Sequence, residues 1–176
     1  TNGLSLFRTK SILLTIVLEL EKLIKSNMAN LNLFYLMANI EVSLFKGENN
    51  WALLIDPDGF IAEGTGSNFF MVKDGILFTP EKRNVLRGIT MESIIDDICP
   101  LLGLEVVEKN IEPFDVYNAD ECFLTSTPFC LLPAVTLNSL AIGDGKPGPI
   151  TKSILDKWSE LVGVNISGQI KKWDKG

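Results

Sequence analysis

The 176-residue chain predicts an α+β fold, a strand-rich sheet or partial barrel flanked by helices. Two observations carry that expectation. Short apolar runs separated by turn-forming residues fill the middle of the chain, and helical periodicities stand before, between and after them. A composition of 46% hydrophobic and 22% charged residues supplies enough apolar mass for one core and argues against disorder.

Taken in order, residues 11–26 (SILLTIVLELEKLIKS) read as a helix with a wide apolar face. A second helical pattern covers about residues 31–45, where Leu33, Leu36, Met37, Ile40 and Leu44 recur at three- and four-residue spacings. Residues 1–46 therefore read as a helical segment without a strand, and residues 47–176 as the main domain. A strand is expected at 51–55, followed by the turn Asp56-Pro-Asp-Gly59. Strands follow at 60–62 and 68–72, and Lys73-Asp-Gly75 makes a hairpin into 76–78. A helix capped by Thr90 or a neighbour runs toward Pro100 and Gly103. Strands at 104–107, 121–124 and 131–135 come next, with a short helical turn at 114–117. A Gly- and Pro-rich loop at 143–149 precedes the last expected helix, 151–161.

Composition excludes several functions. A net charge of −6 disfavours nucleic acid and anionic membrane surfaces as partners. With no histidine, the chain builds neither a Ser-His-Asp triad nor an imidazole zinc site, and no metal site is expected. Cys99, Cys122 and Cys130 lack metal-ligand spacing and read as reduced, mostly buried thiols rather than a disulfide. The apolar stretch 11–20 meets charged residues too soon to span a membrane, so a cytoplasmic location is expected.

Four places concentrate polar residues beside apolar strands. Glu63, at a strand end before the small-residue loop 64–68, places a carboxylate where it could bond a protonated ring nitrogen; the alternative is a turn whose Ser and Asn satisfy the local backbone. Residues 86–90 (Leu-Arg-Gly-Ile-Thr) could start a helix whose N–H groups and hydroxyl cradle an anion, or form an ordinary cap. Residues 125–127 (Thr-Ser-Thr) could hold phosphate or carboxylate, or simply turn the chain. The loop 143–149 lacks phosphate-loop spacing and reads as structural.

Five motifs in sequence order resemble the fold-type-IV pyridoxal-phosphate enzymes, a group holding branched-chain and D-amino acid aminotransferases and aminodeoxychorismate lyases. They are Asp58-Gly-Phe-Ile-Ala-Glu-Gly-Thr-Gly-Ser-Asn-Phe-Phe70, Thr79-Pro80, Val85-Leu-Arg-Gly-Ile-Thr90, Ala119-Asp-Glu-Cys-Phe-Leu-Thr-Ser-Thr127 and Ile142-Gly-Asp-Gly-Lys-Pro-Gly-Pro149. The resemblance implies the C-terminal, cofactor-binding domain of that fold, a pseudo-barrel flanked by helices. It implies pyridoxal 5'-phosphate as cofactor, an amino acid and a 2-oxo acid as substrates, transamination as the reaction and a homodimer as the assembly. An aminodeoxychorismate-type carbon–carbon lyase, or a truncated non-catalytic relative, is the alternative.

Residue by residue, the resemblance gives Glu63 the pyridine nitrogen, Leu86 one face of the ring, and Gly88, Ile89 and Thr90 the phosphate cup, with Ser126 and Thr127 as its second wall. Ser126, Thr127 and Pro128 match the turn that meets the substrate carboxylate, and Pro128 removes an N–H that relatives present there. The family's Ala-x-x-Glu pattern is matched by Ala38-Asn-Ile-Glu41. The usual spacing back from Glu41 lands on Met28, three residues past Lys25. Lys25, in the context Ile24-Lys-Ser26, is the expected catalytic lysine, with the extra residues absorbed at 27–30. The resemblance also implies an N-terminal domain, which is expected to be absent from this chain.

Overall fold

The computed structural model describes residues 10–16, 28–45, 49–82 and 85–173. Among the described residues, nine strands form one sheet: β1 (Lys10–Ile16), β2 (Asn50–Ile55), β3 (Ile61–Gly64), β4 (Asn68–Lys73), β5 (Ile76–Pro80), β6 (Val106–Lys109), β7 (Glu121–Ser126), β8 (Cys130–Leu137) and β9 (Leu140–Ala141). Their order is β3-β2-β1-β8-β7-β4-β5-β6, with β9 paired to β8. Since β3 passes into β4 through residues 65–67, and Gly64 bridges Ser67, the strand at one end of this order returns beside the sixth. The sheet therefore curls into a partial barrel, as expected.

The hairpin chemistry explains the central strands. Between β4 and β5, Asp74 and Gly75 both adopt positive φ (50° and 81°), the geometry of a tight two-residue turn that matches strand twist. Asp56 closes the β2–β3 turn, its carboxylate accepting the N–H groups of Asp58 and Phe60 at 3.0 and 2.9 Å.

The N-terminal region corrects the sequence reading. Residues 10–16 are a strand, not the start of a helix, and β1 lies parallel to β2 and to β8 between them. A continuous apolar run suits a strand with neighbours on both sides as well as a helix, and periodicity does not separate the two. Part of the first 46 residues thus belongs to the sheet. Helix α1 (Met28–Ser43) begins about three residues earlier than expected, and because 28–30 are helical they do not form the turn expected to absorb the extra residues after Lys25.

The helix after the site runs to Gly103 as expected but is less regular than predicted. It comprises α2 (Ile89–Glu92), a π-helical stretch Ser93–Ile98 and α3 (Cys99–Leu102), ending at Gly103 in the left-handed region. Its N-cap is Gly88, which makes no side-chain cap bond, so Thr90 is not the cap. Helix α4 (Pro113–Tyr117) matches the expected turn, while α5 (Pro149–Val162) is followed by a further helix, α6 (Ile166–Trp173), that the pattern did not suggest. Gly163, at positive φ, separates these two helices, and α6 is too short to declare a period of its own. The first turn of α5 is held by buried Glu121, whose two carboxylate oxygens accept the N–H groups of Ile150 and Thr151 at 2.9 and 2.8 Å.

Alternation along the strands divides the core. Phe69 and Met71 of β4 join Leu53, Ile55, Ile61 and Leu124 in one cluster, while Phe70 and Val72 pack with Met91, Ile94, Ile98, Ile154 and Leu155 between sheet and helices. Phe70 and Phe123 stack with centroids 5.0 Å apart. A third cluster seats α1 on β2 and β3 through Ala38, Val42, Ala52, Leu54 and Ala62.

The burial of α1 differs from its apparent stripe. Leu33, Leu36, Met37, Ile40 and Leu44 are all exposed, and the buried side is Tyr35, Ala38 and Val42. No helix among the described residues is long and apolar enough to cross a membrane.

Candidate functional site

Glu63 lies in β3 and is buried. Its Oε1 accepts the Tyr35 hydroxyl at 2.5 Å, and its Oε2 accepts the Leu86 N–H at 2.9 Å and Asn68 Nδ2 at 3.4 Å. Burial pushes the Glu63 carboxyl up to about 7, against the bonds from Tyr35 and the Leu86 N–H, which pull it down. Burial, with the charge of Glu63 added, pushes the Tyr35 phenol above its ordinary range, so it stays a donor.

Asn68, at the start of β4, fixes the loop that leads into α2. Its Nδ2 donates to the Leu86 carbonyl at 2.7 Å, and its Oδ1 accepts the Gly88 N–H at 3.2 Å. The expected alternative, a side chain satisfying only its local turn, does not hold for Asn68, because these partners lie 18 and 20 residues away. Gly88 has to be glycine for this clasp, since a Cβ there would overlap Asn68 Oδ1.

These groups open on one cavity of about 200 Å³, lined by Tyr35, Glu63, Ser67, Asn68, Leu86 and Thr90, by Thr125, Ser126 and Thr127 from the end of β7, and by Gly66 and Gly88. The volume falls below the ~300–1,000 Å³ of complete small-molecule pockets, so the described residues form part of a wall. One end offers a carboxylate, the rest hydroxyls and backbone. Thr125 spends its hydroxyl on the Cys130 carbonyl at 2.6 Å. The Ser67 hydroxyl is buried and has no hydrogen-bond partner among the described residues. A buried hydroxyl without a partner costs free energy unless a ligand or water meets it.

Of the residues singled out by sequence, the structure brings Glu63, Leu86, Gly88, Thr90, Ser126 and Thr127 to this cavity. Ile89 and Pro128 do not line it. Ile89 is 78% exposed, leaving only its backbone to face an anion at the start of α2. Pro128 sits in the turn closed by the Phe129 N–H on the Ser126 carbonyl at 3.2 Å. Lys25 lies outside the described residues. Sequence reasoning missed Tyr35, Ser67 and the long reach of Asn68. Tyr35, Ala38 and Val42, spaced three and four apart, form a weaker stripe than the leucines and were available as its signal.

The family model described as amino-transferase class IV matches residues 22–137. A branched-chain-amino-acid aminotransferase of Pseudomonas aeruginosa is 39% identical over 111 residues, covering 63% of this chain and 36% of the relative. A probable enzyme of the same name from Aquifex aeolicus is 37% identical over 123 residues, 69% of this chain and 39% of that one. Among solved structures, the PLP form of the branched-chain amino acid aminotransferase of Thermobaculum terrenum superposes with a TM-score of 0.78 at 28% identity, covering 91% of this chain and 52% of that chain. The branched-chain amino acid aminotransferase of Escherichia coli gives 0.71 at 27% identity, covering 89% and 52%. The chain therefore spans about a third to a half of the length of these relatives.

Proposed function

This chain belongs to the class IV amino-transferase family, and from that premise we propose that it forms the pyridoxal-phosphate-binding part of an aminotransferase. The substrates proposed are a branched-chain amino acid and a 2-oxo acid acceptor, in line with the names of the relatives. Those names favour transamination over the lyase alternative. The observation that carries the proposal is the convergence of Glu63, Thr90, Ser126 and Thr127 on one cavity.

The donor set suits the cofactor. Glu63 retains acceptor capacity for a protonated ring nitrogen, and the orphaned Ser67 hydroxyl marks a place where a polar ligand atom belongs. Bound there, pyridoxal phosphate supplies a ring that withdraws electrons from the substrate α-carbon. Glu63 holds the proton at the ring nitrogen. Leu86 packs against the ring. Thr90, Ser126 and Thr127 donate hydroxyls to the phosphate, joined by backbone N–H groups at Ile89 and Thr90, while Gly88 leaves room for the Asn68 amide that holds this segment. We assign Lys25 the amine that takes up and returns the α-proton. Ser126 and Thr127 meet the substrate carboxylate, and Pro128 withholds one backbone donor from it.

We infer a cytoplasmic location, which the three free cysteines support. We also infer a homodimer, with the exposed apolar side of α1 as the surface in its favour. Borohydride reduction in the presence of pyridoxal phosphate, followed by peptide mapping, tests the assignment. The label is expected on Lys25. No label on any peptide would sink the catalytic reading and leave a non-catalytic relative.

A further inference from the structure

We propose that Tyr35 is a positioning residue of this site, its phenol locking Glu63 so that one carboxylate lone pair is left for a ring nitrogen. The inference rests on the assignment of Glu63 made above. A carboxylate has about four acceptor sites. At Glu63, the Leu86 N–H and Asn68 Nδ2 meet Oε2, and among the described residues Tyr35 alone meets Oε1. One site on Oε1 therefore remains, beside the Tyr35 hydroxyl, on a side chain that lines the cavity. The three donors come from α1, from β4 and from the segment entering α2, so the carboxylate cannot turn without losing at least one of them.

Tyr35 is suited to this because it is neutral. Among the described residues lining the cavity, Glu63 and Tyr35 are the titratable side chains; the others are hydroxyls, an amide, leucine and glycine. A lysine or arginine at position 35 would pair with Glu63 and compete with a cationic ring for it. A phenol instead favours the ionised carboxylate without adding charge. It is also rigid, with two side-chain torsions, and α1 is anchored directly below it by Ala38 and Val42.

The experiment has two parts, both without turnover. In the cofactor-free chain, the carboxyl band of Glu63 is titrated by infrared difference spectroscopy, identified by its loss in Glu63→Gln. Tyr35→Phe should raise the midpoint, about tenfold in the acid constant, the value of one hydrogen bond to a charged group. In place of tyrosine, 3-fluorotyrosine, a stronger donor, should lower it, and this second variant keeps the contact intact. The same proteins are then titrated with pyridoxal phosphate and with its 1-deaza analogue, which lacks the ring nitrogen. Tyr35→Phe should weaken binding of pyridoxal phosphate about tenfold and leave the analogue unchanged. An unmoved midpoint in both variants, or equal weakening of both ligands, would overturn the positioning role. If the unsubstituted chain binds both ligands equally, it is the assignment of Glu63 to the ring nitrogen that fails, and the proposal with it.

Discussion

The two sides of α1 invert what their hydrophobicity suggests. The inner side presents Tyr35, Ala38 and Val42, and the outer side Leu33, Leu36, Met37, Ile40 and Leu44. Ala38 is 1% exposed, whereas Leu36 and Met37 are each 56% exposed. The difference teaches that fit decides burial here. Ala38 lies over Ala52 and Ala62, and small residues on both sides let the helix approach the strands closely enough for Tyr35 to reach Glu63. The bulky outer side would not pack so near. It is left as a contiguous apolar surface of the kind that marks a contact with another polypeptide.

The comparison breaks most readily with one charge placed on each side. Ala38→Asp buries an unpaired carboxylate against alanines and leucine and should cost about 3–5 kcal/mol. Met37→Asp puts the same group in solvent and should change stability by less than about 0.5 kcal/mol. Urea denaturation midpoints compare the two directly. Similar losses in both would mean that the outer side is as well packed as the inner one.

The next effect concerns what the inner side holds. Glu63 has an ordinary value of 4.5 and is raised to about 7 in the folded chain, chiefly by burial. The folded state thus keeps its proton where the unfolded state has released it. This group's contribution to stability is complete below pH 4.5 and is lost as the pH climbs through about 7, a swing of roughly 3 kcal/mol. Glu63→Gln should flatten that part of the stability curve in the cofactor-free chain. A curve of unchanged slope would mean that Glu63 titrates as an exposed carboxylate does.

These contrasts also mark where sequence reasoning reaches. β4, β5, β7 and β8 were legible because turns such as 73–75 carry their own backbone chemistry and link neighbours in the sheet. β1 was not, because its partners β2 and β8 are parallel and distant, and an unbroken apolar run has no period to betray a strand. At the site, Glu63, Leu86, Thr90 and Thr127 stood out as residue types beside loops, and they meet at one cavity. Tyr35 stayed hidden because its bond to Glu63 spans 28 residues, and the periodic signal of α1 is dominated by leucines that face away. Local chemistry is written in local sequence; the long-range contact is written in how closely two elements can approach.

The smallest expected change in folding stability carries the sharpest test of the outer side. Leu33, Met37, Ile40 and Leu44 are spaced four, three and four apart, the seam spacing with which one helix lies along another. A second copy pairing about a two-fold axis would bury this seam on both molecules. In Met37→Asp combined with Leu44→Asp, four carboxylates would face one another across such a pair, and the dimer should dissociate. Because both positions are exposed in the single chain, the unfolding midpoint of the monomer should hardly move. Sedimentation equilibrium over a range of concentrations reads the first quantity and dilute urea titration the second. A dimer that survives both substitutions would place its interface elsewhere, and an unsubstituted chain that stays monomeric throughout would remove the homodimer from the proposal.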